Sequence, residues 1–361
     1  MLHETRQRYT LILIALVGLA ILPILATTHA AVKIVGDGTP GSCTEARLRA
    51  ALVGGGSISF NCGSAPVTIL VSAPFEITAP ATTIDGGGLI TLQGQNSRII
   101  AHRTVGTQGS SVLTLRNLTI SGGRASGAND AANGGAIHSS FAAANPAFKP
   151  ALYVERVIFR DNDATVTSLT RGDAYDYGGG AIYSQGGSVT VKDCRFIDND
   201  ANNGGGGAIH ILQSGLVIED SEFSNNSAIG ARPQDSLGGA IYVDGLGGEN
   251  GLLRIARSTF TNNRAYNSGG AIYVNMYENS SRAEVLDSAF IENAVTGGER
   301  AQGGAIGGGG SSLGGATGNP SIVIERSLFS ANSVRRTPGA GGNPNEDGSG
   351  GALAFPQRAR L

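Results

Sequence analysis

One arrangement of apolar and polar positions recurs along the chain, and each copy is centred on a phenylalanine. Apolar residues stand seven and five positions before it, as Leu216 and Ile218 stand before Phe223. Apolar residues two apart predict a β-strand with one buried face. A charged residue follows, such as Glu219 in one copy and Arg257 in the next, and breaks the alternation, which predicts a bend. The six copies end in Phe-x-x-Asn, at Phe159/Asn162, Phe196/Asn199, Phe223/Asn226, Phe260/Asn263, Phe290/Asn293 and Phe329/Asn332.

A second motif, Gly-Gly-Ala-Ile or a close variant, alternates strictly with Phe-x-x-Asn. One copy cannot bury its own apolar face, whereas stacked copies place equivalent residues about 4.8 Å apart along an axis. The sequence therefore predicts an all-β fold, a right-handed single-stranded parallel β-helix (a solenoid), with the handedness that parallel crossovers adopt. The second motif begins at Gly134, Gly179, Gly206, Gly238, Gly269, Gly303 and Gly350.

Propeller blades are the alternative architecture, with repeats of about 40–45 residues. The starts of the second motif are instead 27 to 47 residues apart, while the apolar columns stay aligned, which favours the coil. The longer copies carry insertions rich in Gly, Ala, Ser, Asn or Pro, which are expected to be loops that leave the coil at bends. These insertions run from Phe141 to Pro150, Thr165 to Tyr177, Ile229 to Leu237 and Gly307 to Asn319.

The region before the repeats is predicted to close the coil with a short helix. Ser42-Cys-Thr-Glu45 has the form of a capping box, which predicts a helix from Cys43 to Leu52. Leu48 and Leu52 lie one turn apart, so this N-terminal capping helix has an apolar face that can cover the open end of a solenoid.

Three segments follow from these patterns: residues 1–30 as a signal peptide, 31–112 as the cap and first coils, and 113–361 as the repeats. The last repeat motif, at Gly350, starts a further unit. We therefore expect that Pro356 and the residues after it block the strand edge, or that the repeats are truncated.

The first residues have the three-part layout of a secretory signal. Arg6 and Arg8 precede an almost wholly apolar run from Leu11 to Leu25, and small residues surround a cleavage site after Ala30. An uncut membrane anchor is the alternative, although the run is short for a span. No membrane span is expected in the mature chain, which we expect to be secreted or held at the outer cell surface.

Net charge and cysteine content indicate which partners and which redox environment to expect. The chain has a net charge of −2, which argues against a nucleic-acid partner. It has three cysteines, and Cys43 and Cys62 are close enough in sequence to form a disulfide in an exported chain. Cys194 stands where other copies have Ser or Val, which indicates a small buried thiol.

The alternating motifs, over roughly Gly134 to Leu353, resemble the repeats of chlamydial polymorphic outer-membrane proteins. The stretch from Cys43 to Leu52, followed by Ile84-Asp-Gly-Gly-Gly88, is similar to the N-terminal region of many exported pectin-lyase-like proteins. These resemblances imply a right-handed β-helix at the cell surface or outside the cell, and the polymorphic family implies adhesion. The pectin-lyase-like superfamily also contains pectate lyases and polygalacturonases, so an enzyme is an alternative.

Four carboxylates form the first candidate site: Asp161 and Asp163 in one copy, and Asp198 and Asp200 in the next. If the two coils are adjacent, the four crowd one outer patch. Oxygen-rich patches bind Ca²⁺, and close carboxyl pairs perform acid–base chemistry on sugars. Aspartate is also a good bend residue, which explains its repetition without any ligand.

A column of rings forms the second candidate site, at the residue after each Gly-Gly-Ala-Ile. Since Ile faces the core, this column is expected to face out, where rings could stack on sugars or contact a partner. The alternative is stacking of ring on ring, which stabilises parallel strands. The column consists of His138, Tyr183, His210, Tyr242 and Tyr273.

The function that these patterns favour is a non-catalytic adhesion or interaction scaffold at the cell surface or in a matrix. Its expected partner is a polysaccharide or a host or cell-surface protein, with no cofactor, or with Ca²⁺ at the carboxylates. The alternative is a polysaccharide lyase or glycoside hydrolase that acts on an acidic polysaccharide. The motifs typical of polygalacturonases, Asn-Thr-Asp and Gly-His-Gly, are absent from the sequence, which weakens the enzyme alternative.

Overall fold

The structure, a computed structural model, describes residues 32–104, 109–141, 147–167, 176–230, 236–246, 251–276, 281–297, 301–309, 321–335 and 351–354. The predicted signal peptide and Pro356 lie outside these residues. No helix in the described ranges is long and apolar enough to cross a membrane.

The N-terminal region supplies one α-helix, α1 (Glu45–Leu52), and the first strands. A 3₁₀ turn at Pro40–Ser42 precedes α1. The strands are β1 (Lys33–Val35), β2 (Gly56–Phe60), β3 (Val67–Val71), β4 (Phe75–Ile77), β5 (Ala81–Gly94) and β6 (Ile100–Arg103).

Each repeat then contributes strands separated by bends, as the apolar pattern predicts. A second 3₁₀ turn lies at Asn129–Ala132. The first repeat strands are β7 (Val112–Ser121), β8 (Arg124–Gly127), β9 (Ile137–Ser140), β10 (Ala151–Arg160), β11 (Asp163–Val166), β12 (Ile182–Gln185), β13 (Ser188–Lys192), β14 (Arg195–Ile197), β15 (Asp200–Asn202) and β16 (Ile209–Leu212). The next are β17 (Gly215–Glu219), β18 (Glu222–Ser224), β19 (Ser227–Ala228), β20 (Ile241–Asp244), β21 (Leu252–Ala256), β22 (Thr259–Thr261), β23 (Arg264–Ala265) and β24 (Ile272–Asn275). The last are β25 (Arg282–Leu286), β26 (Ala289–Ile291), β27 (Ala294–Val295), β28 (Ile306–Gly309), β29 (Ser321–Glu325), β30 (Leu328–Ser330), β31 (Ser333–Val334) and β32 (Leu353–Ala354).

Three sheets run along the coil, and their strands pair in parallel with the equivalent strands of the next repeat. Sheet A is bent: one arm holds β13, β17, β21, β25 and β29, the other holds β14, β18, β22, β26 and β30, and β10 joins the arms. Sheet B runs β4-β6-β9-β12-β16-β20-β24-β28-β32, and sheet C runs β8-β11-β15-β19-β23-β27-β31. This stacking confirms the predicted parallel β-helix.

The phenylalanines of successive repeats form one continuous stack inside the coil. Phe196 pairs in register with Phe159 on one side and with Phe223 on the other. The Phe196 and Phe223 rings are parallel within 1°, with centroids 4.6 Å apart. Offset stacks at this separation add roughly 0.5–1.5 kcal/mol per pair beyond the buried area. The column predicted from the sequence is therefore the central packing element of the fold.

The charged positions that interrupt the strand pattern are the bends of sheet A. Arg156, Asp193, Asp220 and Arg257 all have φ between 51° and 52°, in the left-handed region. A single left-handed residue turns the chain between the two arms without a longer loop. The predicted bend is confirmed.

The paired glycines serve two separate needs where the chain enters sheet B. Gly206 has φ +69°, a conformation that L side chains rarely adopt. Gly207 has an allowed φ, but a Cβ there would clash with the carbonyl oxygen of Gly239 in the next coil. The first glycine is thus needed for its backbone angle and the second for close approach.

The capping helix is present, but it starts two residues later than predicted. The Thr44 side chain, not that of Ser42, caps it by accepting a bond from the Arg47 amide at 3.3 Å. Ser42 ends the 3₁₀ turn, where its hydroxyl donates to the Thr39 carbonyl at 2.6 Å. Leu48 and Leu52 are buried against the first coil, as expected.

The disulfide and the buried thiol are as predicted. Cys43 and Cys62 are bonded, with Cα atoms 5.7 Å apart. Cys194 is a buried free thiol whose Sγ donates to the Lys192 carbonyl at 3.1 Å. Burial, more than any other effect, raises the pKa of the Cys194 thiol to about 12. The Cys194 side chain is therefore a packed core group that stays protonated.

Candidate functional site

The ring column lies on the outer side of sheet B, in strict register. Tyr183 pairs with His138 in the preceding coil and with His210 in the next. His210 pairs with Tyr242, and Tyr242 with Tyr273. The structure therefore brings all five candidates together in one row, because each occupies the same position of its repeat.

The expectation that this row is exposed is wrong. His138 and Tyr183 are each 1% exposed, and His210 and Tyr242 are fully buried. Tyr273 is partly exposed. Facing away from the core is therefore not the same as facing solvent in this molecule.

Segments that enter sheet B cover the row. The Tyr183 hydroxyl donates to the carbonyl of Asp176 at 2.9 Å, which fixes the incoming chain over the ring. The backbone of Gly205 lies so close to the Tyr242 ring that a Cβ there would overlap the ring carbons. Tyr177 in the same incoming chain donates from its hydroxyl to Asn129 Oδ1 at 3.2 Å. These contacts turn an outer sheet face into a second, smaller packed layer.

The rings contact one another along the row. The Tyr183 centroid is 5.2 Å from that of His138 and 5.1 Å from that of His210. Tyr242 lies 4.7 Å from His210 and 5.7 Å from Tyr273. The ring planes are tilted or perpendicular, at 52° to 80°, so ring edges meet ring faces. This geometry agrees with the alternative that the rings stabilise the sheet by contacting each other.

The two histidines of the row are held neutral. Neither ring nitrogen of His138 or of His210 has a hydrogen-bond partner of regular geometry among the described residues. Burial, helped by the positive charges of Arg98 and Arg103, lowers the pKa of His138 to about 3. Burial also lowers the pKa of His210 to about 3, against a smaller opposing effect of nearby backbone groups. Neither imidazole is charged at neutral pH.

A partly buried arginine, Arg98, lies beside this row. Arg98 Nε donates to the carbonyls of Asn133 and Gly134, each at 3.0 Å. Burial lowers the pKa of the Arg98 guanidinium to about 10, and the charge of Arg103 adds to the effect. Arg98 thus holds the chain that enters β9, directly before His138.

The four candidate carboxylates separate into two columns. Asp161 and Asp198 are exposed corner residues with φ of 56° and 53°. Aspartate tolerates this left-handed conformation better than most residues, which accounts for its presence there. Asp163 and Asp200 lie two residues further on, as register partners in sheet C. The two coils are therefore adjacent, as assumed. The four carboxylates nevertheless form two separate pairs, one at the corners and one in sheet C.

Asp163 and Asp200 form the closer pair, and each has other partners. Asp163 accepts from the Thr165 hydroxyl at 2.7 Å, and Asp200 accepts from the Ser227 hydroxyl at 2.8 Å. Burial raises the pKa of Asp200 to about 6; the Ser227 bond opposes this effect, and the charge of Asp163 adds to it. The described residues contain no group of three or more His, Cys, Asp or Glu that could hold a metal ion.

Two polar arrangements had no signal in the sequence pattern. Inside the coil, His102 bridges the hydroxyls of Ser139 at 3.0 Å and Ser111 at 3.1 Å. Because the Ser111 hydroxyl donates to the carbonyl of Ala79, we assign the proton of neutral His102 to Nε2. Burial lowers the pKa of His102 to about 4. This network joins residues from separate strands that only the fold brings together, so no local sequence motif could indicate it.

The second arrangement is a shallow groove of about 570 Å³ along the bend of sheet A. Arg257 forms a two-pronged ion pair with Asp220 in the preceding coil, at 2.6 and 2.9 Å. Arg195 pairs with Glu222 in the next coil at 2.9 Å. The groove therefore has charges that are already paired along the coil axis.

Part of the repeat region is similar to the repeat of a known protein family. Residues 220–244 and 257–275 match the family model of the Chlamydia polymorphic membrane protein repeat. Each matched segment contains one Phe-x-x-Asn unit and one Gly-Gly-Ala-Ile unit. No curated protein and no solved structure matches the chain significantly. The resemblance to pectin-lyase-like proteins stays a prediction.

Proposed function

We propose that this protein is an exported, surface- or matrix-associated β-helix that serves as an adhesion or interaction scaffold. The matched repeat belongs to a family of membrane proteins, which supports a place at the cell surface. The proposed partner is a polysaccharide or a protein of another cell surface.

The observation that carries this proposal is that the coil keeps its register while the connections at both edges of sheet B vary in length. β12 and β13 are joined by Gly186 and Gly187 alone, whereas residues 141–150 join β9 and β10. Even so, Leu152 of β10 and Val189 of β13 are direct partners. A framework that accepts such insertions without a shift presents variable loops at fixed spacing, as binding proteins do.

The ring column has an indirect part in this proposal. Tyr183 and Tyr242 contact the chain that enters sheet B at Asp176 and Gly205, so the column holds the bases of the loops in place. A loop whose ends are fixed loses less conformational entropy on binding than a free one. The five rings therefore support the binding surface from below.

An immobilised array of acidic polysaccharides, neutral polysaccharides and extracted cell-surface proteins tests the proposal. We expect retention of the purified protein without new reducing ends. Replacing residues 141–150 by Gly-Gly, as between β12 and β13, removes one loop, and replacing residues 247–250 in the same way shortens another while it keeps the core residue Leu246. Retention that is undiminished when both replacements are combined in one variant would contradict the proposal, as would no retention on any surface. Circular dichroism and thermal melting show that each variant is folded.

A polysaccharide lyase or glycoside hydrolase is the second candidate function. A carboxyl with a pKa near 6 beside a second carboxyl, as in Asp200 and Asp163, is the arrangement that acid–base catalysis on sugars uses. The same array decides between the two functions. New reducing ends that disappear in Asp200→Asn, with or without Ca²⁺, would favour the enzyme.

A further inference from the structure

We infer that sheet A binds a linear acidic polysaccharide across β7, β10, β13 and β14, on the side that faces away from the core. This inference rests on the proposed function, because it names the class of partner and a surface that contacts it. The surface consists of the outward-facing side chains of residues 112–121, 151–160 and 188–197, which together form the cationic face.

Charge is distributed unevenly along sheet A. The cationic face has five basic residues and two carboxylates, all at least partly exposed, in a chain whose net charge is −2. The next coil, residues 215–224, has three carboxylates and no basic residue. A local excess of one charge attracts a polymer of the opposite charge. The basic residues are Arg116, Arg156, Arg160, Lys192 and Arg195, the two carboxylates are Glu155 and Asp193, and the three of the next coil are Glu219, Asp220 and Glu222.

Tyr153 lies at the centre of the cationic face. It is 45% exposed, which is more than any other aromatic side chain in the described part of the chain. Its direct partners in the neighbouring coils are Thr114 and Thr190, whose short side chains leave the ring accessible. An accessible tyrosine ring offers an apolar face on which a sugar ring can stack.

Two basic residues lie diagonally on either side of this ring. Arg116 in the preceding coil and Lys192 in the following coil are both register partners of Glu155, two positions beyond Tyr153. Diagonal neighbours on one face of a sheet are within reach of long side chains. Arg116 and Lys192 are two coils apart, about 10 Å along the axis, which is close to the length of a disaccharide. A polysaccharide along the axis can therefore place one sugar on the ring and an acidic group near each cation.

The two flanking cations retain hydrogen-bond donors for such a ligand. Among the described residues, the Arg116 guanidinium uses only Nε, which donates to Asp85 at 2.8 Å. Lys192 Nζ has no hydrogen-bond or ion-pair partner in the same part of the chain. Glu155 lies between the two cations but pairs with the adjacent Arg156. The free Nη groups of Arg116 can bind a carboxylate or sulfate through two parallel bonds.

The cationic face is rigid and adjoins one of the variable connections. The β10 backbone pairs with β7 on one side and with β13 on the other, so the base of the Tyr153 side chain is fixed before any ligand binds. A surface that is already ordered loses little conformational entropy on binding. Residues 141–150 end where β10 begins, and Tyr153 is the third residue of β10. The loop and the face can therefore contact the same ligand.

Binding of the purified full chain to hyaluronate and alginate fragments tests the inference, with carboxyl-reduced forms of both as matched neutral polymers. We expect binding to the acidic forms that weakens with added salt, and little binding to the neutral forms. Arg116→Gln combined with Lys192→Gln should raise the dissociation constant at least about tenfold, because it removes charged hydrogen bonds.

Arg264→Gln combined with Arg335→Gln is the matched control. Both residues are exposed and lie outside the cationic face, and the net charge changes by the same amount. The control should bind hyaluronate and alginate as the unchanged protein does. Equal losses in the two double variants, or no loss in either, would overturn the inference, as would equal binding of the neutral polymers.

Tyr153→Thr tests the ring separately. Threonine is the residue that both neighbouring coils have at this position, so the fold should be kept, which circular dichroism checks. We expect weaker binding of hyaluronate and unchanged binding of polyglutamate, which has carboxylates but no sugar rings. Unchanged binding of hyaluronate would overturn the inference. Polyglutamate that binds as tightly as hyaluronate would indicate an acidic protein as the partner and would overturn it as well.

Failure of this inference can be told apart from failure of the proposed function. If neutral polysaccharides or cell-surface proteins retain the protein and acidic polysaccharides do not, the inference is overturned and the proposed function stands. If no surface retains the protein, both are overturned.

Discussion

Nδ2 of Asn226 donates a hydrogen bond of 2.9 Å to Oδ1 of Asn263 in the next coil, and both side chains are fully buried. The same Nδ2 donates to the Phe196 carbonyl in the preceding coil, also at 2.9 Å. In turn, Oδ1 of Asn226 accepts from the amide and the side chain of Asn199. One side chain therefore connects three coils and leaves no donor unused.

Asn226→Asp should destabilise the protein by several kcal/mol. The change replaces the Nδ2 donor by an oxygen that faces the Phe196 carbonyl and Asn263 Oδ1, and it buries a charge. Asn225→Asp is the matched control. Asn225 is exposed, and its Oδ1 accepts a hydrogen bond from Asn262 Nδ2 at 2.7 Å. A carboxylate oxygen of aspartate can accept the same bond. Urea unfolding should place the control within about 0.5 kcal/mol of the unchanged protein; equal losses in both variants would contradict the prediction.

Asp200→Asn should stabilise the protein at pH 7. The folded pKa of about 6 lies above the ordinary value of 3.8. The favourable contribution of Asp200 is therefore complete below pH 3.8 and is lost as the pH rises through 6. A pKa that rises from 3.8 to about 6 on folding corresponds to roughly 3 kcal/mol. The free energy of unfolding of the variant should therefore increase by up to that amount at pH 7 and not at all near pH 3.5.

Asp198→Asn provides the comparison for Asp200→Asn. Asp198 is exposed at a left-handed corner, where asparagine is equally well tolerated. Thermal melting of the two variants at pH 3.5, 5 and 7 checks the prediction. A gain for Asp200→Asn that does not change with pH would show that its carboxyl is not the cause.

His210→Tyr should make the protein less sensitive to acid. The folded pKa of His210 is about 3, below the ordinary value of 6.5. Its contribution to stability is therefore complete above pH 6.5 and is lost as the pH falls from 6.5 towards 3, at about 1.4 kcal/mol per pH unit. Tyrosine is the residue that the neighbouring coils have at this position, at 183 and 242.

Urea unfolding between pH 7 and pH 4.5 measures the slope of stability against pH for His210→Tyr. Tyr183→Phe is the control, because it changes the same ring column without removing an imidazole. We expect the slope of the control to equal that of the unchanged protein and the slope of His210→Tyr to be smaller. Equal slopes in all three proteins would refute a neutral buried imidazole at this position.

Reduction of the Cys43–Cys62 disulfide should weaken the N-terminal cap. The bond closes a loop with a sequence separation of 19, for which the loss of chain entropy in the unfolded state corresponds to roughly 3 kcal/mol. Cys43→Ala with Cys62→Ala should lower the melting temperature to the same extent as a reducing agent does. Cys194→Ser is the control and should change little, because Ser221 is at this position in the next coil.

The coil itself could be predicted from the sequence because the repeat fixes the register. Phe196 and Phe223 are 27 positions apart and become direct partners, since each is placed by the same apolar pair and bend. Asn199 and Asn226 follow three residues later and bond to each other for the same reason. The repeat in the sequence and the repeat of the hydrogen bonds therefore have the same period.

The exposure of the ring column could not be predicted in this way. Alternation along the strand correctly placed Tyr183 on the side of sheet B opposite to the core. Whether that side is exposed to solvent depends on segments outside the strand, which cover it here with the carbonyl of Asp176 and the backbone of Gly205. The capping-box prediction at Ser42 was wrong for a local reason. Pro40 begins a 3₁₀ turn, so the Ser42 hydroxyl donates to the Thr39 carbonyl and does not cap the helix that starts at Glu45.

The constant register of the coil also fixes how far apart its loops are. The connections that follow β20 and β24 start from strands that are direct neighbours, so their bases are about 4.8 Å apart. Under the proposed function, one extended ligand could engage both, and the second contact would form at the high effective concentration that a short rigid link provides. Weak individual loops would then give strong overall avidity, and changes to a single loop could alter specificity while most of the affinity persists.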